Sequence, residues 1–378
     1  MNPTGTFPIT ENGTYDVKQY EYAEVNVPMP TGNVNLTIEA DGDWVENVAN
    51  YATATVKIAA FTEIEIDLEE GMLSPTLAIA ADPNARIYWG DKRNGAYEVV
   101  IISGSTLASL VRTWHTYAKP GRYVITIKQW HDTDQMKIFS DTTYSKLLHD
   151  RDALDSRAYQ NSIKAVRIGN DYVKIGDYAF AQCYSLEKAT LPDSLTSIGT
   201  YTFAYCYALK SVHLPNSLAG TMTGTFQSCN SLSEVTIPSG VTGIGDKAFQ
   251  GCYSLKSITI PSGVTTIGNY AFDSCSELTS VTIPSTVTGI GGNAFNYCYS
   301  LTELTIPSGV TSIGSKAFAN NYGMASYHFK STTPPTLADT AVFNAIPSDC
   351  KIYVPSSKVS TYKAADKWST YASQIYGE

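Results

Sequence analysis

Charge is scarce in this sequence. Only 16% of its 378 residues are Asp, Glu, Lys or Arg, against a usual quarter, and the formal net charge is −9. No basic patch is visible, which excludes a nucleic-acid binder of the ordinary electrostatic kind and disfavours an anionic membrane surface. Long apolar runs are also missing. Nothing reaches the roughly 18 apolar residues that a membrane-spanning helix needs, so no membrane insertion is expected. The first residues, Met1-Asn2-Pro3-Thr4, carry neither a basic region nor an apolar core, so they do not read as a secretory signal. Histidine is rare, with 5 copies, and none has a nucleophile partner at a useful spacing. There is no phosphate-loop Lys-Ser/Thr and no Gly-x-Ser-x-Gly elbow. A catalytic constellation, a metal site and a cofactor site are therefore not expected.

What is abundant points elsewhere. Hydrophobic residues make up 43% of the chain and Tyr alone contributes 26 copies. With so little charge, the polar surface falls to Ser, Thr, Asn, Gly and Tyr. That balance suits β-rich extracellular modules, because Tyr and Thr favour strands and Tyr favours contact surfaces.

The strongest signal is a repeat. Phe180, Phe203, Phe226, Phe249, Phe272, Phe295 and Phe318 are each 23 residues apart. Other columns keep the same step. An Ile-Gly pair opens the units at Ile175-Gly176, Ile198-Gly199, Ile244-Gly245, Ile267-Gly268, Ile290-Gly291 and Ile313-Gly314, with Thr221-Met222 standing there in the third unit. Cys183, Cys206, Cys229, Cys252, Cys275 and Cys298 follow the Phe, and Leu and Pro columns complete the pattern. A period of this length means a stacked array in which no unit buries its apolar face alone.

One unit shows the physics. In Leu255-Lys-Ser-Ile-Thr-Ile-Pro261 the alternation of Ile258 and Ile260 with Ser257 and Thr259 is that of a half-buried strand. Pro261 cannot donate to a ladder and ends it. Gly268 allows a tight bend, and Ala271, Phe272 and Cys275 suit a short helical or 3₁₀ turn facing inward. The six Cys then read as a free, stacked thiol ladder in the core rather than as ligands, because metal sites need pairs two to four residues apart. The segments Gly243-Ile-Gly245-Asp-Lys-Ala248 and Gly289-Ile-Gly291-Gly-Asn-Ala294 imitate a dinucleotide fingerprint, but lack its long following helix and belong to the repeat's own turn. His213 and His328 share one column five units apart, too far to share a ligand.

These residues resemble the BspA-like family of bacterial leucine-rich repeats. The stretch Ile267-Gly-Asn-Tyr-Ala-Phe-Asp-Ser-Cys-Ser-Glu-Leu-Thr-Ser-Val-Thr-Ile-Pro284 matches the family pattern position by position. The resemblance implies a curved, mainly β solenoid with short helical turns, displayed on the surface of gut or oral bacteria and used for adhesion to host proteins and other cells.

Upstream, Trp89-Gly90-Asp91 with His115-Thr116-Tyr117 and Pro120-Gly-Arg-Tyr-Val-Ile-Thr-Ile127 resembles the PKD domain, an immunoglobulin-like sandwich that spaces or presents a binding domain; Lys92 replaces that family's usual last Gly. The expected organisation is a small β-hairpin module at 1–30 turning at Asn12-Gly13, a PKD-like β-sandwich at 31–140 with strands at Val34–Ala40, Thr53–Ala59, Glu63–Leu68, Ala85–Trp89, Val99–Ile102 and Arg122–Ile127, a polar connector at 141–162, the leucine-rich-repeat solenoid at 163–355, and a C-terminal helical cap at 356–378. In that cap Ser356 or Ser357 is the expected N-cap, and Val359, Tyr362, Trp368 and Tyr371 the apolar face.

Two surfaces qualify as binding candidates. One is the outward row of the strands: Lys188, Thr190, Ser211, His213, Glu234, Thr236, Ser257, Thr259, Ser280, Thr282, Glu303 and Thr305. The other is the aromatic row Tyr184, Tyr207, Tyr253 and Tyr299. Strand propensity alone also explains Thr rows, and Tyr also serves to cover loop backbone. The expected protein is a non-enzymatic, monomeric binder of a host or bacterial surface protein or glycan, located outside the cell or on its surface. A phage or prophage tail-associated receptor-binding protein, and hence a virion location, is the alternative.

Overall fold

The computed structural model describes residues 162–378 except 170 and 171, and upstream of them residues 116–120 and the strands Val25–Pro28, Thr53–Val56, Phe61–Leu68, Pro75–Ile79, Arg86–Arg93, Ala96–Ile101, Val111–Trp114, Gly121–Lys128, Met136–Ile138 and Leu148–Asp150. The hairpin expected at Asn12-Gly13 and the strand expected at Val34–Ala40 lie outside the described residues.

The repeat folds as a three-sided β-solenoid. On the first side, short strands pair in parallel with the strand one unit later: Val166 opposite Ala189, Lys188 opposite Ser211, Ser211 opposite Glu234, Ser257 opposite Ser280, Glu303 opposite Ser326. On the second side the Ile column does the same, with Ile175 opposite Ile198 and Ile244, Ile267, Ile290 and Ile313 in successive register. The third side has no strands. There the Phe249 N–H donates to Ala271 O at 2.8 Å and the Phe272 N–H to Ala294 O at 2.8 Å. Within each rung the bonds are of the i to i−3 kind, such as Ala181 N–H to Tyr178 O, which is the tight 3₁₀-like turn that the Ala-Phe-x-x-Cys spacing calls for. Two positions per rung take positive φ, for example Tyr270 at 57° and Ser274 at 62°, and so keep the turn from growing into a helix.

The core is one continuous stack. Phe180 through Phe318 are fully buried, and neighbouring rings lie 5.2 to 6.0 Å apart. Each Cys from Cys206 to Cys298 points its thiol at the carbonyl of the Phe in the preceding rung, 3.1 to 3.2 Å away. All seven cysteines are free and buried. Burial pushes the Cys183 thiol up to about 12 and lifts Cys206, Cys229 and Cys275 well above the ordinary range.

Two units depart from the 23-residue step. In the third, Met222 rather than Thr221 takes the buried Ile place and pairs with Ile244. A bulge at Gly220, with φ at 94°, admits one extra residue before it, and the Gly that follows Ile elsewhere is dropped, so the Phe column keeps its phase. After Phe318 the step lengthens. Phe343 then continues the ring stack at 5.5 Å from Phe318, and Leu337 pairs with Ile313.

Both ends are closed by non-repeat structure. Phe61–Leu68 pairs antiparallel with the first solenoid strand, Ile163–Arg167, and the sheet runs on through Gly121–Lys128 and Arg86–Arg93 to Ala96–Ile101. Ile64, Ile66, Ile87, Trp89 and Ile125 join the core of the solenoid. Within this cap the buried Tyr117 hydroxyl donates to Trp89 O at 2.6 Å. Gly90, at φ 81°, lies where a Cβ would meet Val124 O at 2.4 Å. The stretch expected as connector carries Leu148–Asp150, which pairs with Pro75–Ile79. Just before it, Met136–Ile138 starts the second ladder against Tyr172–Ile175.

The C-terminal stretch expected as a single helix is instead a 3₁₀ turn at Ser356–Lys358, an α-helix at Val359–Ala364, a 3₁₀ helix at Trp368–Gln374 and a strand at Ile375–Gly377 that adds to Lys351–Val354. Lys367 breaks it, with φ at 63°. Neither Ser356 nor Ser357 caps a helix; the Ser356 hydroxyl donates to Glu378 O. Tyr362, Trp368 and Tyr371 are buried over the last rungs, as their spacing indicated, whereas Val359 is only half-buried. Among the described residues no helix is long and apolar enough to cross a membrane.

Candidate partner-binding surfaces

The pairing register decides which side chains share a surface. Where the strands of this face pair, Lys188 to Glu234, Ser257 to Ser280 and Glu303 onward, they do so without slip. The unpaired steps keep the 23-residue repeat, so side chains of one column stand in a line along the solenoid, about one strand spacing apart. Lys188, Ser211, Glu234, Ser257, Ser280 and Glu303 form one such line, and Thr190, His213, Thr236, Thr259, Thr282 and Thr305 the other. All twelve are exposed, because the residue between each pair, such as Ile258, turns into the core.

The lines run further than the alternation indicated. At one end Arg167 precedes Thr190 in register and lies 3.9 Å from Glu63 of the capping sheet. At the other, His328 follows Thr305. Its Nδ1 is 2.6 Å from the Glu378 carboxylate, its Nε2 is 3.5 Å from Glu303, and its ring stacks on Tyr353 at 4.9 Å. Burial raises the Glu378 carboxyl, but hydrogen bonds from Lys330 and His328 outweigh it and hold the group below its usual range. His328 is legible in the sequence, one period past Thr305 and in the column it shares with His213.

The tyrosine column lies at the exit of the Phe-bearing turn. Tyr184 and Tyr207 stack at 5.1 Å. Tyr299 stacks at 5.6 Å on Tyr322, which is the most exposed of these tyrosines and, one period after Tyr299, was also legible. Tyr253 stands between the two pairs. Burial, and after it the neighbouring phenols, lift the Tyr207 and Tyr299 hydroxyls above their ordinary value, so both remain neutral donors at any physiological pH.

Under that column runs a line of side-chain amides. Gln227 donates to Gln250 at 3.0 Å and Gln250 to Asp273 at 3.1 Å, while Asn320 donates to Asn296 at 2.9 Å and Asn296 to Asp273 at 2.9 Å. Asp273 thus accepts from both directions. This network has a structural task, tying five rungs on the side that has no strands.

The glycines of the fingerprint-like segments also serve packing. A Cβ on Gly245 would come within 2.8 Å of Met222 O, and one on Gly291 within 2.5 Å of the Gly268 carbonyl carbon. Their backbones lie against the preceding rung, which leaves no cradle for a phosphate. Among the described residues no three His, Cys, Asp or Glu side chains converge as metal ligands would.

The family described as BspA type leucine rich repeat region matches the chain in 6 copies over residues 146–253 and 221–345. A search of curated proteins returns no match. Among solved structures, a leucine-rich-repeat protein of T. pallidum is similar at 30% identity, over 42% of this chain and 77% of its own, with a TM-score of 0.39. A leucine-rich-repeat protein of Bacteroides ovatus is similar at 23% identity, over 58% of this chain and 65% of its own, with a TM-score of 0.40. A leucine rich cell surface protein of Faecalibacterium prausnitzii is similar at 23% identity, over 60% and 83%, with a TM-score of 0.32. The six matched copies span the stretch in which the Ile-Gly, Ala-Phe, Cys and Leu columns build the solenoid, and the chain belongs to the BspA type leucine-rich-repeat family.

Proposed function

We propose that this chain is a non-enzymatic adhesion protein of a bacterial cell surface, which holds a host or neighbouring-cell protein or glycan against the outward face of its first ladder. The observation that carries the reading is the pair of exposed, in-register polar lines from Lys188 to Thr305. They form a surface six rungs long, built of side chains that form hydrogen bonds without strong charge. Family membership supports the choice of class. The segment around Trp89 and Tyr117 we read as a PKD-like presentation module that carries the solenoid outward. A monomer suffices for this role, and no cofactor enters it.

The test is binding of the full chain to cultured host cells and to immobilised matrix proteins. Glutamate substitutions at Ser257, Thr259, Ser280 and Thr282 place like charges on the middle of the face while leaving the buried Ile258 and its column untouched. Binding should fall at least about tenfold, since a desolvated charge at an interface core costs several times RT. Equal binding by the substituted chain sinks the face as the site.

A further inference from the structure

The tyrosine column is interrupted twice, and the interruptions have a definite shape. Rung by rung it reads Tyr184, Tyr207, Asn230, Tyr253, Ser276, Tyr299, Tyr322. Where two tyrosines are adjacent, their rings stack almost parallel, at 5.1 Å and 18° for the first pair and 5.6 Å and 10° for the last. Where Asn230 and Ser276 stand, the column carries no ring, and these shorter side chains are half-buried. Tyr253 therefore shows both faces, each toward another tyrosine two stacking intervals away.

We propose that these two gaps are binding slots for the ring of a neutral sugar, one on each face of Tyr253. The inference deepens the binding role proposed above and moves part of it from the sheet face to this column.

Spacing comes first. A ring placed midway between Tyr207 and Tyr253, or between Tyr253 and Tyr299, lies at the interval that the filled pairs already show. The walls are held in place. Tyr207 is backed by Tyr184 and met edge-on by Tyr205 at 6.4 Å. Tyr299 is backed by Tyr322 and met by Tyr297 at 5.9 Å. The walls are also accessible: Tyr207, Tyr253 and Tyr299 are 40%, 49% and 44% exposed.

The floor selects the ligand. The Asn230 amide, oriented so that its nitrogen donates to the carbonyls of Ser228 and Gly251, each at 3.2 Å, turns its oxygen toward donors, the side on which a ligand hydroxyl would donate. The Ser276 hydroxyl donates to Tyr253 O at 3.4 Å, which leaves its lone pairs. A phenyl ring pushed into a slot would cover the acceptor on its floor and donate nothing, a cost of about 1–3 kcal/mol per buried group. A pyranose presents C–H faces to the two rings and hydroxyls to the floor, so each surface meets its complement. Glu277 adjoins Ser276 and is exposed, which disfavours acidic sugars by like-charge repulsion.

The experiment uses the full chain on an array of neutral and sialylated oligosaccharides, with titration calorimetry on the best neutral ligand. Two variants fill the slots with the residue that the column carries elsewhere, Asn230→Tyr and Ser276→Tyr; both should fold, as circular dichroism and melting will show. Tyr253→Ala should weaken binding at least about tenfold through the loss of two ring contacts, whereas Tyr253→Phe keeps the stacking and should stay close to the parent. Each filled slot should lower affinity, and the double variant should abolish it. Retention of no neutral sugar, or neutral ligands that survive the double filling, overturns the proposal. Ligands lost on the glutamate-substituted sheet face but not on slot filling overturn it too, while leaving the adhesive face intact. Loss of both together with no change in fold places one ligand across both surfaces. If displayed peptides rich in Phe or Trp are captured instead and lost on filling, the slots serve a protein and the sugar assignment fails.

Discussion

At the scale of single residues, the repeat shows which positions matter by where it tolerates exceptions. The column before each Phe is Ala in most rungs, but Thr202 and Thr225 occupy it in two. Thr202 donates to the carbonyls of Gly199 and Gly176. The Thr225 hydroxyl is fully buried with no partner, and such a group costs about 1–3 kcal/mol. Thr225→Ala, which restores the common residue, should therefore raise stability by about 1 kcal/mol, read as a higher urea midpoint at unchanged slope. The thiol ladder gives a second expectation. In the folded chain these groups keep protons that the unfolded chain releases above its ordinary thiol range near 8.5. Their contribution to stability is complete below that pH and is lost as pH rises toward the folded value, about 12 for Cys183. Stability should fall above pH ~9 by about 1.4 kcal/mol per pH unit for each thiol. Cys229→Ala should flatten that slope by one thiol's share. At neutral pH a thiol reagent should label none of the seven buried cysteines before denaturant is added.

At the scale of the element, rung geometry rests on the glycine after each Ile. A Cβ on Gly268 would meet Asp246 N at 2.5 Å and the Gly245 carbonyl carbon at 2.6 Å, both backbone atoms that have nowhere to go. Gly268→Ala should cost roughly 3 kcal/mol, comparable with emptying a core ring site at about 3–5 kcal/mol in Phe272→Ala. A melting temperature unchanged from the parent contradicts that account. The third unit shows how the fold evades the requirement. With Met222 moved into the Ile place by the bulge at Gly220, the chain passes the contact one residue short and needs no glycine there.

This element also marks the limit of what spacing reveals. A fixed period identified the strands, the Phe stack, the thiol ladder and the outward lines, because each is a column and columns are visible in a sequence. Compensated shifts are not. Thr221 stands in the Ile column by counting, yet the exposed residue is Thr221 and the buried one Met222. Phe343 continues the stack but is two residues out of phase, so counting misses it. The terminal segment carries Tyr362, Trp368 and Tyr371 at spacings compatible with one helix; the left-handed turn at Lys367 that breaks it is a local choice no periodicity records. Of the candidate surfaces, exposure followed from alternation, while the ring-by-ring openness around Tyr253 required the stacking distances.

At the scale of the molecule, the sheet does not stop where the repeat does. Ile163–Arg167 is hydrogen-bonded on both sides, to Lys188–Thr190 and to Phe61–Leu68. Removing everything before residue 163 would bare a parallel sheet edge together with the fully buried Ile163 and Val166, and an open apolar edge invites pairing between chains. A chain begun at residue 163 should elute as aggregates in size-exclusion chromatography with light scattering, in contrast to the full chain. Monomeric behaviour of the short form at equal concentration refutes the capping role of Phe61–Leu68.

The strands of both ladders lie across the long axis of the solenoid, and each rung contacts only its neighbours. A tether that pulls on the ends therefore opens hydrogen bonds one row at a time, as a zipper does, rather than loading many in shear. Each 23-residue rung released from an end pays out roughly 75–80 Å of chain, and nearest-neighbour coupling keeps the remaining rungs folded. A tether built this way lengthens stepwise under drag. While rungs remain to be surrendered, the pull felt at the far contact stays near the force that opens a single row.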